Sequence, residues 1–374
     1  MRVIVVGAGA LGTMHAWHAV ERGHHVVHLE REEQARGASV RNFGLVWVGG
    51  RSVGPELDMA LRARQLWQEI AEQVPGVGFR PGGSLTVLRS AAEYAVAAEV
   101  AARSDAALRG WELLDPEETR KANPALRGDG LLGALWSPHD ARVEPRTAQR
   151  ALQDHLRASG RYTFLGGREV REVVGERAVR DDRGELHSGD AVVLCTGAWL
   201  GGLVRELAPQ LPVRRVRLQM MQTEPLGEDL PTSVADGDSF RYYPAYAGGA
   251  LDALNAVQPQ HETAAEHRMQ LLMVQRADGT LTIGDTHEYD QPFGFDVVEE
   301  PYRYLAGLAE DLLGRPLPPV RRRWAGVYAQ CLDPALVVHR ERVREGVWIV
   351  TGPGGRGMTG SPAIGETTAN ELEW

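Results

Sequence analysis

Three glycines, at positions 7, 9 and 12, stand where a short β-branched run gives way to a helical pattern. The run "RVIVV" is continuous and apolar, as in a parallel strand buried on both faces. Leu11 to Arg22 reads as a helix stopping at Gly23, and "HHVVHLE" as a second strand ending on Glu30. A Gly7-x-Gly9-x-x-Gly12 turn in that setting commits the segment to a βαβ unit. Gly7 permits the tight turn, Gly9 lets backbone reach a pyrophosphate, and Gly12 lets helix and strand pack closely. Free N–H groups at the helix start attract phosphate. Glu30 is placed to accept hydrogen bonds from an adenosine ribose, which selects FAD or NAD over NADP. The turn alone leaves FAD and NAD both open.

The remaining bulk properties narrow the class. A chain of 374 residues calls for two domains, or one with large insertions. The formal charge is −9 and no long Lys/Arg run occurs, which argues against nucleic acid as a partner. Two cysteines, Cys195 and Cys331, give neither a disulfide framework nor a CxxC metal pair, so no metal is expected and a cytoplasmic location is. No apolar run has the length of a spanning helix. The opening residues superficially resemble a signal peptide, but the glycine spacing explains them better.

Along the chain, Gly54 to Gln73 reads as an amphipathic helix with Leu57, Leu61, Leu66 and Ile70 on one side. "FRPGGSLTVLRS" reads as antiparallel strands about a Gly-Gly turn. Helices are predicted at Ala91 to Leu108, in "DPEETRKANPAL" and at Arg146 to Ala158. Short strands lead to the buried strand "AVVLC". Val213 to Thr223, Phe240 to Tyr246, Met269 to Arg276 and Thr280 to His287 alternate like strands of a second, mostly antiparallel sheet. Gly248 to Gln260 and "TEPLGEDLPTSVADGD" read as loops. "GVWIV", a glycine loop "TGPGGRGMTG" and a helix close the chain.

Several segments together resemble the D-amino-acid-oxidase superfamily of FAD-dependent oxidoreductases, which includes glycine oxidase, sarcosine oxidase and D-amino-acid dehydrogenase. "EREEQARGASVRNFGLV" resembles the family's second flavin loop. "SGDAVVLCTGAW" looks like its strand and turn beside the adenine half of FAD. "RRWAGVYAQCLDPALVV" looks like its W-x-G-x-R-P segment, and "GVWIVTGPGGRGMTGSPAIGE" its final flavin-edge loop and helix. The resemblance implies an α/β fold: a Rossmann-like FAD-binding domain of the glutathione-reductase type with an inserted, mostly antiparallel β-sheet substrate domain. It places FAD binding in residues 1–80, 138–212 and 320–374, and substrate binding in 81–137 and 213–319. The residues it implies at FAD are Gly7, Gly9, Gly12, Glu30, Arg31, Ser39, Asn42, Gly44, Gly197, Gly355, Gly357, Met358 and Thr359. Ser39 also reads as a helix cap, and Asn42 as a turn residue. Relatives that hold flavin through cysteine carry it at the place of Gly326, so FAD is expected to be non-covalent, with Cys331 a packing residue.

The family moves a hydride from the carbon beside an amine to flavin N5, which requires little acid–base machinery. Tyr328 stands where glycine oxidase relatives carry a carboxylate-clamping arginine, so a bidentate fork is absent. Thr282 takes the place of the lysine that activates oxygen in sarcosine oxidases. "ASVRNFGLVW", "FRYYPAY", "GDTHEY" and "GGRGMT" are most similar to a subgroup from phosphonate-metabolism gene neighbourhoods. That implies a small anionic or zwitterionic amine, foremost an aminoalkylphosphonate, with O2 or another electron acceptor. Arg356 is the leading candidate for its anion, with Arg41, Arg241, Tyr243, His287 and Tyr328 beside it. Of Tyr242 and Tyr243, one is expected to face away, as neighbours on a strand do. An α-amino-acid substrate and an NAD-binding dehydrogenase are the alternatives.

Overall fold

A computed structural model of the chain describes residues 1–289 and 291–372. Strand β1 (Arg2–Val6) lies near the middle of a six-stranded sheet. Its parallel neighbours are β2 (His25–Leu29) and Ala191–Leu194. Tyr162–Leu165 and Val347–Thr351 extend the parallel sheet outward, and His339–Arg344 adds an antiparallel edge. Alternate residues of β1 serve opposite layers, which explains the unbroken apolar run. Val3 and Val5 join Leu11, Met14, Trp17 and Leu152 on one face. Ile4 and Val6 join Val173 and Val179 on the other.

Helix α1 (Ala10–Glu21) packs against the C-terminal helix, Gly357–Glu371. The approach is close because Gly365 has no side chain: a Cβ there would stand 2.9 Å from Met14 O. Pro362 lies inside the C-terminal helix and cannot donate back to Met358 O. Trp67 Nε1, from α2 (Pro55–Gln73), donates to that carbonyl at 3.0 Å instead. The buried stripe of α2 contains Leu57, Leu66 and Ile70 as expected, and also Ala60, Ala63 and Trp67.

The second sheet has eight strands, in the order Val320–Cys331, Val213–Pro225, Thr280–Gly284, Leu272–Gln275, Ser233–Ala235, Ser84–Leu88, Gly133–Ser137 and Glu112–Leu114. All its pairs are antiparallel except Ser233–Ala235 with Ser84–Leu88. Val320–Cys331 pairs along its length with Val213–Pro225, so the chain remains in this sheet through Cys331.

Several expectations differ; Ser233–Ala235, for one, is a strand inside a segment expected to be a loop. Phe240 to Tyr246 is no strand: Ser239–Tyr242 forms a helical turn and Pro244–Tyr246 a 3-10 turn. The aromatics have strand propensity, but Pro244 cannot donate to a ladder. Gly249–Val257, inside the expected loop, is a helix. Its first turn is capped from afar, with Ala250 N donating to the Glu99 carboxylate at 2.7 Å. Nothing local signals that cap. In "DPEETRKANPAL" the expected helix forms, opened by an Asp115/Glu118 capping box. Among the described residues no helix is long and apolar enough to cross a membrane.

Candidate active site

The glycines of the turn after β1 have no room for a side chain. Gly7 has φ +96°, and a Cβ would lie 2.4 Å from Cys195 O. A Cβ on Gly12 would lie 1.8 Å from Gly7 O. Helix α1 starts without a side-chain cap at Gly9. Ser39 Oγ accepts the Ala10 N–H at 2.8 Å, so its capping role is across the loop. Glu30 accepts the N–H groups of Ala8 at 2.7 Å and Glu32 at 3.1 Å, which holds its carboxylate against the turn. Asn42 Nδ2 donates to Ala38 O and Ser39 O, and its Oδ1 accepts from Gly44 N, so it organises the second loop. The Arg31 guanidinium lies 4.3 Å from the centre of the exposed Trp199 ring.

The late glycine loop is tied to the same place. Thr359 Oγ1 accepts from Trp47 N at 2.9 Å and donates to Leu45 O at 3.2 Å. Thr351 Oγ1 donates to Gly197 O at 3.0 Å. One cavity of about 980 Å³ then runs from Gly7 and Glu30, past both loops, to a group of tyrosines on the second sheet. Gly9, Arg31, Ser39, Asn42, Gly197, Gly355, Gly357, Met358 and Thr359 also line it. Gly12 and Gly44 do not: each is wedged against backbone, Gly44 with a would-be Cβ 2.1 Å from Val143 O. Those two shape the site from behind.

The cavity wall carries unpaired polar atoms. Trp47 Nε1 and Gln270 Oε1 are buried without partners. Tyr328 Oη lies near the Tyr242 hydroxyl but makes no hydrogen bond of good geometry. Buried polar atoms left open on a cavity wall call for partners, which a bound ligand would supply. The start of α1 facing the cavity, the glycine clearances and these orphaned atoms fit a long, anionic, ring-bearing cofactor.

The substrate candidates separate. His287, Tyr328, Tyr243, Arg41 and Arg356 line the cavity. Arg241 does not. Its guanidinium is consumed by Asp238 Oδ1 at 2.8 Å, Gln258 O at 2.6 Å and Asn255. It therefore clamps the helical turn rather than a ligand. Arg41 Nη1 donates to Ala325 O at 2.9 Å, and Trp324 Nε1 donates to Arg41 O, which joins the second loop to the far sheet. Tyr242 and Tyr243 both line the cavity because they sit on a helical turn, with ring centres 4.9 Å apart. One facing away would have required the strand.

Arg356 is neither turned to solvent nor free. Nε donates to Pro353 O and Nη2 to Leu336 O, both at 3.1 Å, and Nη1 stands 3.6 Å from Glu56 Oε1. Arg51 shares that carboxylate oxygen at 3.6 Å, with its Nε on Trp47 O at 3.0 Å. All three side chains are about nine-tenths buried. Two guanidiniums on one carboxylate leave a net positive wall. Burial lowers the Arg356 pKa, with Glu56 opposing. Arg51 and Glu56 escaped notice in the sequence, where "GGRSVGPE" reads only as the lead into α2.

Asp285, also unnoticed, lies beside His287. Burial pushes its carboxyl up to about 6. His287 Nδ1 lies 3.0 Å from Arg268 O and donates to it; in the neutral ring Nε2 then accepts the Tyr242 hydroxyl at 2.7 Å. Cys331 packs against Gly352 outside the cavity. Cys195 lines the glycine turn, where burial raises its thiol well above the ordinary range.

With this geometry in place, comparison with known proteins gives the class. The family model described as FAD dependent oxidoreductase (DAO) matches residues 2–371, so the chain belongs to that family. It is an FAD-dependent oxidoreductase, with FAD as its cofactor. A glycine oxidase of Pseudomonas aeruginosa is 27% identical, covering 97% of this chain and 92% of that protein. A glycine oxidase of Geobacillus kaustophilus is 23% identical over 99% of this chain and 92% of that one. Among solved structures, glycine oxidase from Bacillus cereus superimposes with a TM-score of 0.79 at 18% identity, covering 100% of this chain and 94% of that one. L-proline dehydrogenase from P. horikoshii gives 0.79 at 21% identity, over 99% and 92% of the two chains. These likenesses match the expected fold: a Rossmann-like domain with an inserted antiparallel sheet.

Proposed function

We propose that the chain is an FAD-dependent amine oxidoreductase that oxidises the C–N bond of a small zwitterion, foremost an aminoalkylphosphonate, N-methylated or not. When bound, FAD supplies the hydride acceptor for the carbon next to nitrogen. Gly7, Gly9, Ser39 and the start of α1 would hold its pyrophosphate, Glu30 its ribose, and the loop from Gly354 to Thr359 its ring edge. The electron acceptor is O2 or another oxidant. FAD is non-covalent in this reading, since Gly326 stands at the attachment position and Cys331 lies elsewhere.

The observation that carries the substrate reading is the Arg51–Glu56–Arg356 cluster. The cluster itself carries one net positive charge and borders the cavity, while Tyr328 occupies the place of a planar carboxylate fork. A dianion gains more from such a net positive cluster than a monoanionic carboxylate does. Arg356 holds loop carbonyls, so the anion's direct partner in this reading is Arg51, with Arg356 keeping the cluster positive. The tyrosine walls exclude water from the reacting carbon.

The test is product analysis with purified holoenzyme. N-methyl-2-aminoethylphosphonate, 2-aminoethylphosphonate, sarcosine, glycine and D-alanine are each supplied, and the carbonyl product and released amine are quantified. The reading expects kcat/KM to be highest for a phosphonate. Turnover of the amino acids with none of the phosphonates overturns the phosphonate assignment in favour of an α-amino-acid substrate.

A further inference from the structure

Asp285 poses a problem that the fold does not solve. Its side chain is almost wholly buried at the end of the Thr280–Gly284 strand, and it lines the cavity. A buried carboxylate is costly unless paired with a cation or well hydrogen-bonded. Here Oδ1 receives one long bond, from Gln270 Nε2 at 3.3 Å. Oδ2 lies 3.9 Å from His287 Nε2, beyond hydrogen-bond reach, and that nitrogen is already engaged with Tyr242. Among the described residues no Lys or Arg nitrogen comes within 4.0 Å.

The surroundings are aromatic. Tyr242, Tyr243, Tyr289 and Tyr328 all line the same end of the cavity. Burial above all, with the Asp285 charge adding to it, raises the pKa of each of these hydroxyls. A carboxylate among aromatic faces is a receptor for an organic ammonium: the carboxylate supplies charge and acceptors, and the rings supply cation–π attraction and room for alkyl groups. The same wall repels anions. The charges of Asp285 and Arg51 both act on Tyr243, and all three residues line the cavity.

We infer that Asp285, walled by Tyr242, Tyr243, Tyr289 and Tyr328, is the subsite that binds the substrate's ammonium group, opposite the Arg51–Glu56–Arg356 cluster. It sets specificity for a cationic nitrogen, primary or N-alkylated, and fixes which end of a zwitterion faces which wall. The inference rests on the amine reading above and adds the residue that recognises the amine.

The experiment compares matched ligands on FAD-loaded enzyme. N-methyl-2-aminoethylphosphonate carries both charges; propylphosphonate lacks the amine. Affinities are read anaerobically from flavin absorbance, for wild type, Asp285→Asn and Asp285→Glu. Asp285→Asn is expected to weaken the aminophosphonate by about 10- to 100-fold, the range for loss of a charged hydrogen bond. Propylphosphonate affinity and FAD content stay at the wild-type level, and Asp285→Glu restores part of the amine affinity. Equal weakening of both ligands, or unchanged aminophosphonate affinity, overturns the inference while leaving the amine oxidoreductase standing. A wild-type flavin that no amine reduces or perturbs overturns the proposed function and the inference together.

Discussion

Asp285→Asn should stabilise the fold at neutral pH, by an amount that the burial of this carboxyl sets. In the folded chain the group titrates at about 6, against an ordinary value of 3.8, chiefly because burial removes its hydration while His287 opposes. Below about pH 4 both folded and unfolded chains hold the proton, and the side chain costs nothing. Between about pH 4 and 6 the unfolded chain ionises first, so stability falls as pH rises. Above about pH 6 the whole difference persists, and at about 1.4 kcal/mol per pH unit it amounts to about 3 kcal/mol. Asparagine keeps the shape and the Gln270 contact without the charge. Urea unfolding at fixed FAD concentration, followed by tryptophan fluorescence, measures the gap between variant and wild type. It should widen in favour of the variant by about 3 kcal/mol from about pH 4 to about pH 7.5. A gap that is constant with pH, or that narrows, would refute the claim that Asp285 is an unsolvated, unpaired carboxylate. Greater stability combined with weaker amine binding is the trade expected of a residue kept for function.

Other outcomes follow from the same geometry. Gly7→Ala should abolish FAD retention, since the new Cβ meets Cys195 O at 2.4 Å at a φ of +96°; the ratio of flavin to protein absorbance measures it. Arg51→Met should raise the Michaelis constant for an aminophosphonate about 10- to 100-fold with FAD content retained. Arg356→Met should in addition lower FAD content or thermal stability, because it also unties Pro353 O and Leu336 O. Amine affinity of the wild type should fall as pH drops below about 6, where Asp285 gains its proton in the ligand-free enzyme, and in Asp285→Asn that step should vanish. The groups facing Asp285 are Gln270, His287 and the four tyrosines, and loss of the step in Asp285→Asn assigns it to Asp285 rather than to a neighbour.

The cofactor half of the molecule was open to reading because its constraints are local. A glycine forced by φ or by a carbonyl 2 Å away leaves a fixed spacing in the sequence, and an apolar run records a strand buried on both faces. The substrate half depends on contacts distant along the chain. Arg51 acquires its role only when α2 and the C-terminal loop bring Glu56 and Arg356 to it. Asp285 stands out only once Gln270, Tyr242 and Tyr328 close around it. The strand expected at Phe240 to Tyr246 shows the same limit. Aromatic propensity argues for β, but Pro244 and the Arg241 contacts to Asp238, Asn255 and Gln258 hold a helical turn. That turn places Tyr242 and Tyr243 in the cavity together.

The central claim is that one cavity holds FAD at the two glycine loops and a zwitterion between Arg51 and Asp285. Anaerobic mixing of the holoenzyme with N-methyl-2-aminoethylphosphonate tests it most directly, with flavin absorbance as the readout. The account predicts that the flavin is bleached, with saturation at lower concentration than for sarcosine, glycine or D-alanine. An oxidised flavin spectrum unchanged by the aminophosphonate, with rapid bleaching by glycine or D-alanine, would contradict it.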